Sequence, residues 1–454
     1  MRNLFVIFTL FSLGFCVSIT ESYADTHTAA SPSYADVSAA IAAADAGDTV
    51  NVPAGGGSAT WTNTLYIYKA IRLMGPGKDD LTITKSGVAI YYNPVSSSTA
   101  LRFEIDGFTF TGGIRLCDRN YDGSYSAKNQ TAGTAKNSIV IGNSVIGGQI
   151  YSMGDFRGVV YNVNFTGSGV QFSIMGSNAT TYNNFGGDVS YGTAGMLYFE
   201  DCTWSGGASQ AIGTNNGSGA RWAVRYCTAT GNPDGGLPIF DTHGCQADGN
   251  PGGMLHAIYG NIFPLGAKVT RIGLNQRGGK TVMFNNRFTQ PSGGEEIYQQ
   301  QNADGDADKY CAGAGGQAVV GPNSSYFFNN WMNGSIDNCY ISNNVYGDLA
   351  ENVTFWNYNA SCTSSSCSAG IGCGSTAPTG TCTTGVGYWV TSYSPCSTPP
   401  ATMADMKTYT QSGRFYKCTA TNTWTSYFTP YTYPHPLRGG GPSAPKSLSV
   451  GPSN

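Results

Sequence analysis

Short apolar runs ending in Asn, Asp or Gly recur along this chain from near residue 100 to near residue 360. They include LRFEIDGFTF from Leu101, IVIGNSVIGG from Ile139, GVVYNVNFTG from Gly158, TTYNNFGG from Thr180 and MLYFEDCTWSGG from Met196. The series continues with WAVRYCTATG from Trp222, LHAIYGNIF from Leu255, TVMFNNRFT from Thr281, SYFFNNWMNG from Ser325 and CYISNNVYGD from Cys339. Each holds three to five β-branched or aromatic residues, which is strand length and too short for a helix. Recurrence at roughly 20 residues is the mark of a solenoid. The chain lacks the Leu ladder of leucine-rich repeats and the helical stretches of ankyrin or tetratricopeptide repeats, which leaves an all-β parallel β-helix. Its coils turn at residues that tolerate left-handed φ, and Asn143, Asn162, Asn183 and Asp201 step almost regularly at such corners. Stacked Asn side chains can hydrogen-bond along the axis. A β-sandwich with Asn-rich turns is the alternative, but it rarely repeats one strand-and-corner pattern so often.

Ahead of these runs, Val37, Ala40, Ile41 and Ala44 form one apolar stripe, which predicts a short helix over Asp36 to Ala46 ended by Gly47. VNVP, LYIY, IRLMG and LTIT then read as strands. A short helix, then Gly-Asp-Thr-Val-x-Val-Pro, then a first coil ending in Gly resembles the N-terminal cap of right-handed parallel β-helix proteins of the pectin-lyase-like superfamily. The resemblance runs from about Ser33 to about Ala360 and implies a right-handed solenoid whose open end the helix plugs. That superfamily holds pectate lyases, polygalacturonases, phage tailspikes and adhesins, so function has to come from a site.

Coil spacing points to one. The stretches between Cys227 and Leu255 and between Thr289 and Ser325 carry extra residues, and solenoid insertions emerge as loops beside binding faces. The first contains FDTHG, in which Asp241 and His243 share a strand face and suit acid-base work. A loop His held by a carbonyl, with Gly244 and Cys245 shaping a turn, is the plain alternative. Next comes RIGLNQRGGK, where Arg271, Arg277 and Lys280 can pair with a sugar carboxylate or lie solvated on an outward face. Glu295 and Glu296 open the second insertion, and Asp304, Asp306 and Asp308 alternate within it. Alternating Asp oxygens suit Ca2+, although Lys309 and Gly315 stand where an EF-hand needs Gly and Glu, and a solvated acidic loop fits as well. The expected catalytic set is Asp241, His243, Arg277 and Glu295, with Arg271 and Lys280 binding substrate.

His243-Gly244 followed by Arg271-Ile272 resembles the polygalacturonase order of a His-Gly and an Arg-Ile-Lys element. Gly273 stands at the Lys, Thr242 at the preceding Gly, and no Asp-Asp pair lies upstream. A pectate-lyase-like WIDH stretch is absent too, so neither mechanism carries over whole.

The remaining features set the compartment and the ends. Met1 and Arg2, the apolar LFVIFTLFSLGFCVSI and Ser22-Tyr23-Ala24 read as a signal peptide over residues 1–24. With 11% charged residues and 62 Gly the chain suits a secreted or cell-surface β protein without the basic footprint of a nucleic-acid binder, and no further segment spans a membrane. Of 13 cysteines, removing Cys16 leaves twelve, an even number that predicts disulfides of undetermined pairing. The solenoid with its cap takes residues 25–360, a Cys/Ser/Thr/aromatic-rich region 361–438, and a Gly/Pro linker 439–454. Within 361–438, the stretches GVGYWVTSY and RFYKCTATNTWTSYF read as a small aromatic β unit or a cap over the last coil, and the Tyr-Pro-His-Pro ending resembles that of bacterial extracellular β-helix proteins.

Two functions fit. One is binding, and with the residues above cleavage, of polysaccharide by a lyase- or hydrolase-like protein, with Tyr and Trp stacking on sugars. The other is a non-catalytic adhesin or filament subunit that uses the solenoid as a rigid rod, alone or as a homo-oligomer or cell-surface assembly. Sequons at Asn164, Asn178, Asn216 and Asn352 offer glycan attachment to either.

Overall fold

A computed structural model describes residues 24–93, 102–117, 137–153, 156–175, 191–206, 208–214, 221–229, 239–242, 255–264, 273–276, 279–289, 298–302, 325–344, 349–393, 396 and 398–438. Among them, three long sheets of 12, 11 and 10 strands dominate. Successive strands within a sheet are three elements apart along most of the chain, so each circuit gives one strand to each sheet before the next stacks on it. Every pairing in the three sheets is parallel except the last of the 11-stranded one, Trp331–Met332 with Ser335–Ile336. This is the connectivity of a coiled stack. Ile141, Val160, Phe199 and Val224 are consecutive partners in the 12-stranded sheet, as a solenoid requires.

Among the described residues, the apolar runs from Leu101 to Ser325 are two strands with a corner between them. Arg102–Asp106 lies in the 12-stranded sheet and Thr109–Phe110 in the 11-stranded one, with left-handed Gly107 between. Later coils place Asn143, Asn162 and Asp201 at this corner with φ of 44°, 50° and 54°. Asn183 and the run from Thr180 lie outside the described residues. Strand Phe156–Tyr161 pairs directly with Leu197–Glu200, so no strand of that sheet stands between them. The run from Cys339 also departs from the pattern, because Tyr340–Asn344 joins the 10-stranded sheet beside Tyr298–Asn302.

The residue after each corner points inward and builds the expected ladder. Asn261 donates to Asn286 Oδ1 and Asn286 to Asn330 Oδ1, each at 2.8 Å. The same amides also donate to carbonyls of neighbouring coils: Asn261 to Val224, Asn286 to Ile258 and Asn330 to Met283. Cys227 and Cys202 continue the row, with the Cys202 N–H donating to Cys227 Sγ at 3.3 Å. Both thiols are buried and free, so the even cysteine count does not translate into complete pairing. Here the thiol serves as a small buried filler.

Three inward rows form the core: Ile141, Val160 and Phe199 from one sheet, Phe110, Phe165 and Trp204 from the second, Ile114, Phe172 and Phe240 from the third. Each such side chain contributes about 1.5–3 kcal/mol on burial. Helix α1, Tyr34–Ala43, rests on the first coil through Val37 and Ile41. Its N-cap Ser33 accepts the Asp36 N–H at 3.2 Å, and it ends at Ala44, before Gly47, where the backbone turns extended.

The chain beyond the coils folds back along the outer face of the 12-stranded sheet. Strands Ile371–Gly374, Gly387–Val390, Arg414–Ala420 and Thr423–Phe428 form a separate four-stranded sheet. Between the second and third of them the chain forms helix α2, Met403–Gln411, which the sequence pattern did not predict. Trp389, Phe415 and Phe428 pack on Phe284 and Phe328, with ring separations of 4.8–5.7 Å. Disulfides Cys362–Cys367, Cys373–Cys396 and Cys382–Cys418 staple this unit. Such bonds persist in oxidising compartments.

Candidate functional site

With the 12-stranded sheet covered, the outward face of the 10-stranded sheet is the solenoid surface that presents large aromatic rings. Residues flanking the inward Leu65, Ile90, Ile114, Ile150, Phe172 and Phe240 point away from the core, because side chains alternate along a strand. Register lines them up coil by coil as Tyr66, Tyr91, Arg115, Tyr151, Ser173, Gly213 and Asp241. The positions continue through Asn275 and Gln299 to Tyr340.

The two ends of this row differ. Tyr66 is 52% exposed and Tyr68, two residues on, is 48% exposed. Their rings stack at 6.2 Å, and Tyr91 lies 5.3 Å from Tyr66. Ser173 and Asp241 are instead buried although they belong to the outward row, and the Ser173 hydroxyl has no hydrogen-bond partner among the described residues.

The long insertions adjoin, in sequence, strands of this sheet. Residues 230–238 precede Phe240–Thr242 and 243–254 follow it; 290–297 precede Tyr298–Asn302 and 303–324 follow it. Residues 118–136 and 176–190 also follow strands of this sheet, two insertions that the apolar pattern did not single out. Both long excursions therefore start or end within a few residues of Asp241 or its register neighbours.

Of the expected site residues, Asp241 stands in the row itself, in strand Phe240–Thr242. His243, Arg271, Arg277 and Glu295 lie outside the described residues, as do Asp304, Asp306 and Asp308. The described residues contain no group of three side chains suited to a metal. Lys280 is placed elsewhere: it begins strand Lys280–Phe284 of the 12-stranded sheet, and its charge contributes, after burial, to lowering the pKa of Lys417 in the C-terminal hairpin. It therefore belongs to the covered face and not to the row of Asp241. Gly279, left-handed with φ of 71°, stands immediately before it.

Beneath the same coils the interior turns polar. Gln276 Nε2 donates to Ser325 Oγ at 2.9 Å, Ser325 Oγ accepts the Thr281 N–H at 3.1 Å, and His256 Nδ1 lies 3.4 Å from Thr281 Oγ1. These residues sit in otherwise apolar strands, where they read as ordinary alternation, so the pattern could not single them out.

The largest charged cluster among the described residues was also illegible in the sequence. Glu200 and Arg225, adjacent in register, are both buried on the outer face of the 12-stranded sheet. Arg225 donates from Nε to Glu200 at 2.9 Å and from Nη2 to the Thr432 carbonyl at 2.7 Å. Glu200 Oε2 accepts the His435 N–H at 3.1 Å and Arg438 at 2.9 Å. Burial opposes ionisation of Asp201, but hydrogen bonds from Lys407, Tyr433 and Arg438 outweigh it and hold its carboxyl below the usual range. The partners from beyond the coils all come from residues 407–438, so the cluster fastens the C-terminal unit to the 12-stranded sheet and takes no part in the 10-stranded one.

Burial pushes His256 and His435 each down to about 3, with Arg225 and Arg438 adding repulsion at His435. The Leu437 N–H donates to His435 Nδ1 at 3.1 Å, which favours the neutral form. Between pH 3 and 6.5 the unfolded chain binds these protons and the folded one does not, so stability is full above about pH 6.5 and falls on acidification. Each His contributes a slope of about 1.4 kcal/mol per pH unit in that window. Urea midpoints measured from neutral to acidic pH should fall steeply, and His256→Asn should flatten the decline.

Fold and site together define a three-sheet parallel β-solenoid with one covered face and one aromatic, polar face. No protein-family model, curated protein or solved structure matches the chain. No helix among the described residues is long and apolar enough to cross a membrane.

Proposed function

We propose that this chain is an exported, right-handed parallel β-helix protein of pectin-lyase-like type that binds polysaccharide along the outward face of its 10-stranded sheet. The observation that carries this reading is the row of exposed Tyr66 and Tyr68 and half-buried Tyr91, continuing in register to Tyr151. Tyrosine offers a flat apolar face for a sugar ring and a hydroxyl that stays wet, and a row at strand spacing gives an extended polymer repeated contacts. On the covered face, Tyr198, Tyr259 and Tyr326 are instead buried.

Cleavage, in this reading, belongs to the far end of the row. Asp241 would act there with His243, Arg277 and Glu295, His243 and Asp241 as acid-base partners and Arg277 holding a substrate carboxylate. Asp304, Asp306 and Asp308 would hold Ca2+ nearby.

Affinity electrophoresis against a panel of acidic and neutral polysaccharides tests binding. Tyr66→Ala and Tyr91→Ala should each weaken retention roughly tenfold at most, the value of one lost aromatic contact, with unchanged melting temperature. Retention with no release of reducing or unsaturated ends leaves a lectin-like role. No retention of any glycan by the parent protein would hand the fold to the rigid-rod reading.

A further inference from the structure

We propose that Cys202 and Cys227 are a cross-linking pair, which an oxidant of the disulfide class joins into a bond that ties two consecutive coils together. The three disulfides of the C-terminal unit already call for a setting in which such oxidants are present. Ser144 and Val163 fill the same inward row in the coils before, so one small residue suffices there, and in this row two sulfurs stand consecutively only at Cys202 and Cys227.

Register puts the two side chains together. Glu200 pairs with Arg225 before the corner and Thr203 with Thr228 after it, the same offset of 25 that separates the cysteines, so Cys202 and Cys227 occupy equivalent positions in neighbouring coils. Neighbouring strands lie about 4.8 Å apart, within the roughly 4.4–6.8 Å of Cα separation that a disulfide spans. The Cys202 N–H donates to Cys227 Sγ at 3.3 Å, and the same sulfur lies 3.5 Å from the Phe199 carbonyl oxygen, so it leans toward the coil of Cys202. The two thiols also hydrogen-bond to each other.

Once folded, this pair is a poor nucleophile. Burial, followed by the hydrogen bond and the charge of Cys202, pushes the Cys227 thiol well above its usual range, which shields it from oxidants and reductants alike. The bond therefore closes while the coils are still assembling. One cysteine thiolate attacks the S–S bond of the oxidant and expels one of its sulfurs as a thiolate; the second cysteine attacks the mixed disulfide at the protein sulfur and expels the other. The pair loses two protons and two electrons, and the oxidant takes them up as two thiols. The product closes one circuit of the solenoid and joins the two coils that carry Glu200 and Arg225, on which the C-terminal segment is fastened.

To test this, the mature full-length chain is refolded from denaturant in glutathione disulfide, quenched with acid, unfolded in an alkylating reagent and digested. Cys202 and Cys227 should be recovered as one linked pair of peptides. Cys202→Ala should leave Cys227 alkylated, and Cys227→Ala should do the same for Cys202. Each single substitution should lower the melting temperature by on the order of 5 °C and the double variant little more, because either one removes the whole cross-link. Recovery of both cysteines alkylated from the refolded parent, or of either one joined to Cys117, Cys245 or Cys311, overturns the assignment. Single-variant losses that add in the double variant overturn it as well, since they describe two independent fillers.

Discussion

Ending the chain after Asn359 will make the protein aggregate, although every strand of the three long sheets is retained. The reason is the outer face of the 12-stranded sheet. Val140, Val159, Tyr198, Ala223, Ala257, Tyr259, Val282, Phe284, Tyr326 and Phe328 point outward there and are all buried. Their cover comes from Trp389, Phe415 and Phe428 of the C-terminal sheet and from Tyr431 and His435 of the final segment. Removing that cover exposes a contiguous aromatic sheet, well beyond the few hundred Å² that soluble monomers tolerate. It also strands Arg225 without the carbonyls of Tyr431 and Thr432. Size-exclusion chromatography of the truncated and full chains decides the matter. A monodisperse truncated protein with the parent's far-ultraviolet spectrum would mean that the solenoid is self-sufficient and the C-terminal unit an accessory.

The coil was legible in the sequence because two of its three sheets write a repeating signature. A strand, a left-handed Asn or Gly and a second strand give a run such as IVIGNSVIGG, and the physics of that corner restricts the residue types. The third sheet leaves a fainter trace. Its outward row carries Tyr151, Ser173, Gly213 and Asp241, and its strands are flanked by insertions of unequal length, so neither hydrophobicity nor period marks it. The chemically interesting face is therefore the one the pattern records least well. Asp241 could be singled out by its local FDTHG context, whereas Tyr66, Tyr68 and Tyr91 read as ordinary strand residues until register aligned them. Neither could the sequence join Glu200 to Arg438, because only the return of the chain across the 12-stranded sheet brings them together.

That return depends on a buried ion pair, and Glu200→Ala should cost about 3–5 kcal/mol, a large share of the roughly 5–15 kcal/mol typical of a folded domain. Both side chains of the Glu200–Arg225 pair are fully buried. Burial works against the charge of Arg225, while Tyr259, Glu200 and the other phenols around it raise its pKa, so it stays protonated. Its guanidinium sits 4.7 Å over the Tyr198 ring, away from solvent, where water cannot replace a lost partner. Glu200→Ala leaves this charge buried with only neutral partners and removes the acceptor for the His435 N–H and for Arg438. By contrast, Glu200→Leu combined with Arg225→Met removes both charges and should recover much of the loss, since the penalty comes from the unpaired ion and not from the absent attraction. Arg438→Ala should cost less than Glu200→Ala, because Arg438 is partly exposed and Asp201 keeps Lys407. Urea denaturation of the parent and these three variants gives the ranking, and limited proteolysis reports the segment itself: Glu200→Ala should open cleavage between Thr429 and Arg438 while the coils stay intact. Equal stability of Glu200→Ala and the parent, or a double variant worse than the single one, would show that aromatic packing alone holds the C-terminal unit on the sheet.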